Sequence, residues 1–204
     1  MHANAPGGRA GGLDPRLRFA AVAAAVVVLA HLLDRWAFEQ LVLRDVYGHD
    51  WGRMLRVVGY YPTWVLAALA LVLHDWAPRT RATWRAASRR GRLVFWSPAV
   101  AGIAAEAMKL IVRRERPNLT DGLYVFRAWA DRPFSSKGFG LPSSHTAVAF
   151  GAAAMLARLF PRARPVWYGI AVACALTRVA SGAHFLSDGV VGALLGWLAA
   201  WIIA

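Results

Sequence analysis

Apolar and polar residues are gathered into long blocks along this chain. Six apolar blocks, at roughly residues 17–33, 61–76, 93–112, 145–160, 165–180 and 188–203, each approach the length and apolar density of a membrane-crossing helix. Several lie near the short limit of about 17 residues, so small tilts or extended boundaries are expected. Trp36, Trp64, Trp76, Trp167 and Trp201 fall at block ends, as an interfacial aromatic belt would. Residues 39–58 mix Leu, Val and Met with Arg and Asp and predict an amphipathic helix lying in the interface. Residues 1–15 are small and Gly/Pro-rich and predict a disordered tail; residues 16–204 form a single domain. The expected fold is all-α: a bundle of six transmembrane helices, with the interfacial helix between the first two. A secretory signal is the rival reading of the first block, because Arg16 and Arg18 precede an apolar stretch ending Val-Leu-Ala. The length of that stretch, and the lack of a small-x-small site before a polar start, favour a span.

Composition sharpens this picture. The chain of 204 residues is 58% hydrophobic and 17% charged, too apolar and too blocked for an ordinary soluble domain. Its formal charge of +13 comes almost wholly from arginines that flank apolar blocks. They form no continuous basic stripe, which excludes nucleic acid and leaves anionic lipid head groups as the counter-charge. The single cysteine, Cys174, sits inside an apolar block, so the chain offers neither a disulfide nor a cysteine-based metal site.

The arginines also orient the bundle. Residues 78–92 carry Arg79, Arg81, Arg85, Arg89, Arg90 and Arg92 with no acid; residues 158–164 carry Arg158, Arg162 and Arg164; the N-terminus carries Arg9, Arg16 and Arg18. With six spans these regions share one side, which the positive-inside rule makes cytoplasmic. The opposite, outer face then receives Arg116, the 118–144 loop, His145, Arg178 and His184.

Three separated runs place chemistry on that outer face. Lys109, Arg113 and Arg116 are spaced i, i+4, i+7, which predicts one helical face, and Pro117 predicts that the helix ends at Arg116. A cation this near hydrocarbon needs an anion or a wet cavity, and Glu106 is expected to be the structural partner of Lys109. Pro142-Ser143-Ser144-His145 opens an apolar helix. Ser at its N-cap and free N–H groups at its start suit phosphate, although capping alone explains the serine. His184 and Asp188, at i, i+4, are placed to meet on one helix face. A carboxylate on one ring nitrogen frees the other to attack or to move a proton. Gly182 permits a sharp turn before His184. His2, His31, His49 and His74 lie outside these runs and are read as structural.

Taken together, the runs resemble the three signature motifs of the type 2 phosphatidic-acid phosphatase family, whose site is shared with vanadium haloperoxidases. Lys109, Arg116 and Pro117 match Lys-x6-Arg-Pro. Pro142, Ser143, Ser144 and His145 match Pro-Ser-Gly-His, with Ser144 in place of Gly. Thr177, Arg178, His184 and Asp188 match Ser-Arg-x5-His-x3-Asp, with Thr177 in place of Ser. The motifs span residues 109–188, and the six-span layout extends the likeness over nearly the whole chain.

The resemblance implies a bacterial integral-membrane lipid phosphatase in the inner membrane, acting on a lipid phosphate or diphosphate with no cofactor and no metal. It implies that His184 attacks phosphorus, that Asp188 orients His184, and that His145 protonates the leaving oxygen and then activates water. Lys109, Arg116, Arg178, Ser143 and the Ser144 region would bind the phosphoryl oxygens. Arg113, Arg114, Arg127 and Arg132 add positive charge near this cage, so undecaprenyl diphosphate is the expected substrate ahead of phosphatidylglycerol phosphate and phosphatidic acid. With no appended domain to grip a large saccharide, lipid A is the less expected one. The loop at residues 118–141, rich in aromatics and cations, is expected either to cover the site or to rest on the interface. The rival classes are a haloperoxidase and a non-enzymatic lipid-binding membrane protein.

Overall fold

The computed structural model describes residues 14–43, 45–76 and 81–204, with side chains throughout except at 81–84, 86 and 87. The expected tail and His2 therefore lie almost wholly outside the described residues. Asp14 caps the first helix, accepting the Arg16 N–H at 2.8 Å, with Pro15 at its first position. The described residues form seven α-helices: α1 Pro15–Leu41, α2 Asp50–Val57, α3 Tyr61–Asp75, α4 Arg81–Val112, α5 Ser144–Leu159, α6 Arg164–Ala180 and α7 Leu186–Ile203. Among the described residues there is no strand, only two isolated bridges, Arg114 with Phe126 and Glu115 with Phe139.

Among the described residues three helices are long and apolar enough to cross a membrane by themselves: α1, the Ser88–Val112 part of α4, and α7. α2 and α3, bent by 62°, make a fourth if taken as one broken span. α3, α5 and α6 have 15, 16 and 17 residues and fall short of that length singly. The predicted interfacial helix over residues 39–58 is not one helix. α1 runs on to Leu41, Asp45 takes a left-handed φ of 55°, and a 3₁₀ turn at Val46–Gly48 precedes the eight-residue α2. The arginine-rich segment before residue 93 is likewise helical from Arg81 onward.

α5 is the central element, with 11 of its 16 residues buried, most of them alanine. Small residues let the helices approach closely. A Cβ on Gly192 of α7 would lie 2.6 Å from the Ser143 carbonyl, and one on Gly196 would lie 2.4 Å from the Ala147 carbonyl. This is the small-xxx-small contact of membrane helix pairs. Large apolar side chains on the outside, among them Leu32, Leu66, Ile103, Ile111 and Ile202, remain exposed, the surface a membrane protein offers to lipid.

Backbone hydrogen bonds show how the helices alternate. The Leu43 N–H donates to the Ala180 carbonyl at 2.8 Å, Asn118 N–H to Gly182 at 3.1 Å, Gly140 N–H to Arg114 at 2.7 Å and Ser143 N–H to Asp188 at 3.0 Å. These bonds tie the C-terminal ends of α1, α4 and α6 to the N-terminal ends of α5 and α7. At the other end Arg90 of α4 pairs with Asp75 of α3, and Arg158 of α5 donates to the Ala200 carbonyl of α7 at 3.2 Å. The three chemical runs thus share one end of the bundle, opposite the end where Arg90 and Arg158 lie.

Candidate active site

α6 stops at Ala180, and Gly182 reverses the chain at a φ of 66°, the sharp turn its position predicts. His184 follows in the connection, ahead of α7, so the expected shared helix face for His184 and Asp188 is not how they meet. Asp188 occupies the third position of α7, and its carboxylate folds back over the helix start. Oδ2 accepts the Phe185 N–H at 2.8 Å and lies 3.4 Å from His184 Nδ1. Nδ1 also lies 3.0 Å from the Gly140 carbonyl oxygen. A carbonyl only accepts, so the network assigns the proton to Nδ1 and leaves the Nε2 lone pair free. Burial pushes the His184 imidazole down to about 4 against the opposing pull of Asp188, so it is neutral at pH 7.

The other carboxylate oxygen of Asp188 is held by Arg114. Arg114 Nη2 donates to Asp188 Oδ1 at 2.6 Å and to Ser187 Oγ at 2.7 Å, and Nη1 lies 3.8 Å from Asp34 Oδ2. Asp34, from α1, accepts the Ser187 N–H at 2.7 Å, the Ser187 hydroxyl, and the Tyr124 hydroxyl at 2.5 Å. Arg114 and Asp34 are each 1% exposed and Asp188 is 0% exposed. Burial, then the neighbouring Asp34, pushes the Tyr124 phenol up to about 12, so it stays a donor.

α4 supplies the cations differently from the helical-face expectation. The helix ends at Val112, and Arg113 takes a left-handed φ of 59°. Arg113 turns away and donates to the carbonyls of Arg127 at 3.2 Å, Ala128 at 3.0 Å, Pro133 at 3.4 Å and Asp131, fastening the 118–141 loop. Arg127 is engaged by Glu115 at 2.9 Å and Asp131 at 3.5 Å, and Arg132 approaches Asp131 at 3.9 Å. Arg114 and Arg127 are therefore paired with carboxylates and Arg113 is held by carbonyls, so these three are not free to reach a substrate beside the cage, while Arg132 stays largely exposed.

Lys109 is 5% exposed, and its Nζ donates to Glu106 at 2.8 Å, the partner its spacing predicts. Glu106 also accepts the Ser144 hydroxyl at 2.5 Å and the Ser136 hydroxyl at 2.6 Å. The Ser144 hydroxyl is thereby committed to Glu106, leaving its backbone N–H as the group able to meet an anion. Arg116 is extended, as the following proline dictates, and burial, followed by the charge of Arg178, lowers its guanidinium below the ordinary value. Arg178 is 3% exposed; its Nη1 donates to the Tyr47 hydroxyl at 2.6 Å, while its Nε has no partner among the described residues.

Ser143 is the N-cap of α5, and its Oγ accepts from Thr146 N–H at 3.4 Å and Thr146 Oγ1 at 3.0 Å. Its own hydroxyl proton is not used in either bond. The N–H groups of Ser144 and His145, in the first turn, have no intrahelical acceptor. His145 lines two cavities, an apolar groove of about 650 Å³ between α3, α4 and α5 and a basic recess of about 270 Å³ beside α2. Tyr47, Asp34 and Arg114 are the supporting residues that sequence reasoning missed; the acid at the end of the first apolar block was the available signal. His31 donates to the Val27 carbonyl at 2.8 Å, and His49 and His74 lie at the surface, in keeping with structural roles.

The model of the PAP2 superfamily matches residues 90–204, just over half of the chain. The chain belongs to the PAP2 superfamily. Similar curated proteins are lipid A 1-phosphatases of Rhizobium johnstonii, 31% identical over 108 residues, and of Rhizobium etli, 32% identical over 110 residues. Each match covers 52% of this chain but only 43% and 46% of those relatives, so the chain spans less than half their length. A crystal structure of a transmembrane PAP2 phosphatidylglycerolphosphate phosphatase from Bacillus subtilis superposes with a TM-score of 0.58 at 19% identity. It covers 92% of this chain and 91% of that one, a likeness of fold.

Proposed function

We propose that this membrane protein is a metal-independent lipid phosphatase that works through a phosphohistidine on His184. The observation that carries the reading is the pinned imidazole. Gly140 and Asp188 hold Nδ1–H, so Nε2 is the nucleophile, beside a cluster in which Arg116 already feels the charge of Arg178. Nε2 attacks phosphorus as the bond to the leaving oxygen breaks, and His145, which takes up a proton when the phosphoryl anion offsets the surrounding cations, gives that oxygen its proton. His145 then takes a proton from water, whose oxygen attacks the phosphohistidine and releases phosphate. Lys109, Arg116, Arg178, the Ser143 hydroxyl and the first N–H groups of α5 neutralise the phosphoryl oxygens, the role a metal has in other phosphoryl transfers.

In this reading all six long helices cross the inner membrane, short ones included, with α2 at the outer interface and the site facing the exterior. The apolar groove ends at Ser144 and His145, so a lipid chain reaches the site sideways from the bilayer. A lipid diphosphate of the undecaprenyl type stays ahead of phosphatidylglycerol phosphate and phosphatidic acid on a different cation, Arg56, which lines the recess beside His145. The names of the Rhizobium relatives support a second substrate, the 1-phosphate of lipid A. Phosphate release from these four lipids by the purified protein in detergent tests the proposal. Release that vanadate blocks and chelators spare is expected; none from any lipid, or release abolished by chelator and restored by Mg²⁺, contradicts it.

A further inference from the structure

The recess beside α2 is lined by Arg53, Arg56, Val57, Tyr60 and His145. Its two arginines differ. Arg53 is fastened to the carbonyls of Tyr47 at 3.2 Å and Gly48 at 3.0 Å and to Asp50 at 2.5 Å. The guanidinium of Arg56, in the last turn of α2, has no hydrogen bond or ion pair among the described residues. Its guanidinium rests on the Tyr47 ring, 4.9 Å from the centroid, and Arg178 lies 5.4 Å from the same centroid. The charge of Arg56 reaches Arg116 only weakly, behind those of Arg178, Asp188 and Glu106. The recess is held in register by Gly59, in the bend between α2 and α3. A Cβ there would lie 2.6 Å from the His145 Cβ and 2.7 Å from its carbonyl oxygen, so any larger residue would lift α2 off the start of α5.

His145 and Tyr60 line both the basic recess and the apolar groove. A ligand at this junction meets an apolar channel on one side and an uncommitted cation on the other. The volume of about 270 Å³ is several times the ~30 Å³ of a water molecule, enough for a second tetrahedral anion. Building on the phosphatase reading, we propose that Arg56 forms a second-anion subsite that binds the lipid-proximal phosphate of a lipid diphosphate. The terminal phosphate sits at His184. Nε2 bonds to the terminal phosphorus while its bond to the bridging oxygen breaks. The lipid monophosphate leaves with that oxygen and the proton from His145. Arg56 stabilises the charge that gathers on this leaving group, a benefit a phosphomonoester substrate with an alcohol leaving group does not receive. With Arg113, Arg114 and Arg127 already engaged, selectivity for diphosphates falls to this residue.

The test compares farnesyl diphosphate with phosphatidic acid on the full-length protein in detergent. Arg56→Gln is expected to lower the ratio of kcat/KM for diphosphate over monoester by about tenfold or more, the value of one charge-assisted contact. Inhibition by methylenediphosphonate should weaken by a similar factor relative to inhibition by orthovanadate, which reports the shared phosphoryl site. Arg53→Gln should change either ratio much less. Unchanged ratios in Arg56→Gln overturn the subsite. Should that variant not fold, the wild type still decides: methylenediphosphonate must inhibit at least about tenfold more tightly than phosphate, and equal inhibition overturns the proposal. Absence of phosphate release from both of these lipids and also from phosphatidylglycerol phosphate and lipid A would sink the phosphatase reading instead. The subsite would then stand or fall on thermal stabilisation by methylenediphosphonate, present in the wild type and lost in Arg56→Gln.

Discussion

Replacing Arg114 by Met tests whether the buried charge network organises the site. The substitution keeps most of the side-chain volume and removes the 2.6 Å bond to Asp188 and the 2.7 Å bond to Ser187. Asp188 and Asp34, at 0% and 1% exposure, then face each other's negative charge with no cation between them. Were Arg114 an ordinary polar contact between membrane helices, its loss would cost about 0.6 kcal/mol. An uncompensated buried carboxylate costs about 3–5 kcal/mol, and the larger figure applies because both partners are enclosed. Arg114→Met should therefore lower unfolding free energy in mixed micelles by at least about 3 kcal/mol. Phosphate release should fall more than about 100-fold, since Asp188 loses the group that fixes its second oxygen. Adding Asp34→Asn should recover part of the stability, because it removes one of the two opposed charges, but little of the activity. A single variant within about 1 kcal/mol of wild type and active within threefold would refute the reasoning.

Tyr47→Phe removes the hydroxyl that holds Arg178 and should raise KM about fivefold to tenfold in substrate titrations while kcat changes less; an unaltered KM would exclude a positioning role. The folded pKa of His184, lowered from 6.5 to about 4, means that the unfolded chain binds a proton between these values and the folded one does not. Stability is thus full above pH 6.5 and is lost as pH falls to about 4, by about 3 kcal/mol relative to a His184→Gln variant that cannot titrate; parallel curves would contradict this. Single cysteines at Arg85 and Ala130 in a Cys174→Ser background should react with an impermeant reagent from opposite sides of intact vesicles, and labelling from one side would break the six-span orientation.

How much of this was legible in the sequence depended on how local each interaction is. His184 and Asp188 are four apart, and Lys109 and Glu106 three apart, so spacing alone proposed both contacts. Their local geometry was less legible. Two residues bend the backbone, Arg113 at φ 59° and Gly182 at φ 66°, and they replace the expected helix faces with turns. Arg114 was read as spare charge for substrate because its partners come from α1 and α7, 80 residues before it and 74 after; no short-range pattern reports such a pairing. Tyr47 was hidden in a segment read as one amphipathic helix, because Asp45 at φ 55° breaks that segment just before the tyrosine and carries it onto Arg178. Residues 145–160 and 165–180 carry the apolar density of spans, but the helices there are only 16 and 17 residues long, and of the two only α5 is mostly buried.

The central claim is the covalent role of His184, and trapping the intermediate tests it most directly. Wild-type protein mixed with a lipid substrate labelled at its terminal phosphate and quenched in base within milliseconds should carry an acid-labile, base-stable phosphoryl group on the peptide containing His184. His145→Ala should form that species more slowly, for want of the leaving-group acid, and once formed should lose it more slowly in a chase, because water is no longer activated; His184→Ala should carry none. A phosphoryl group absent from the wild type and from His145→Ala, or turnover persisting in His184→Ala, would contradict the account.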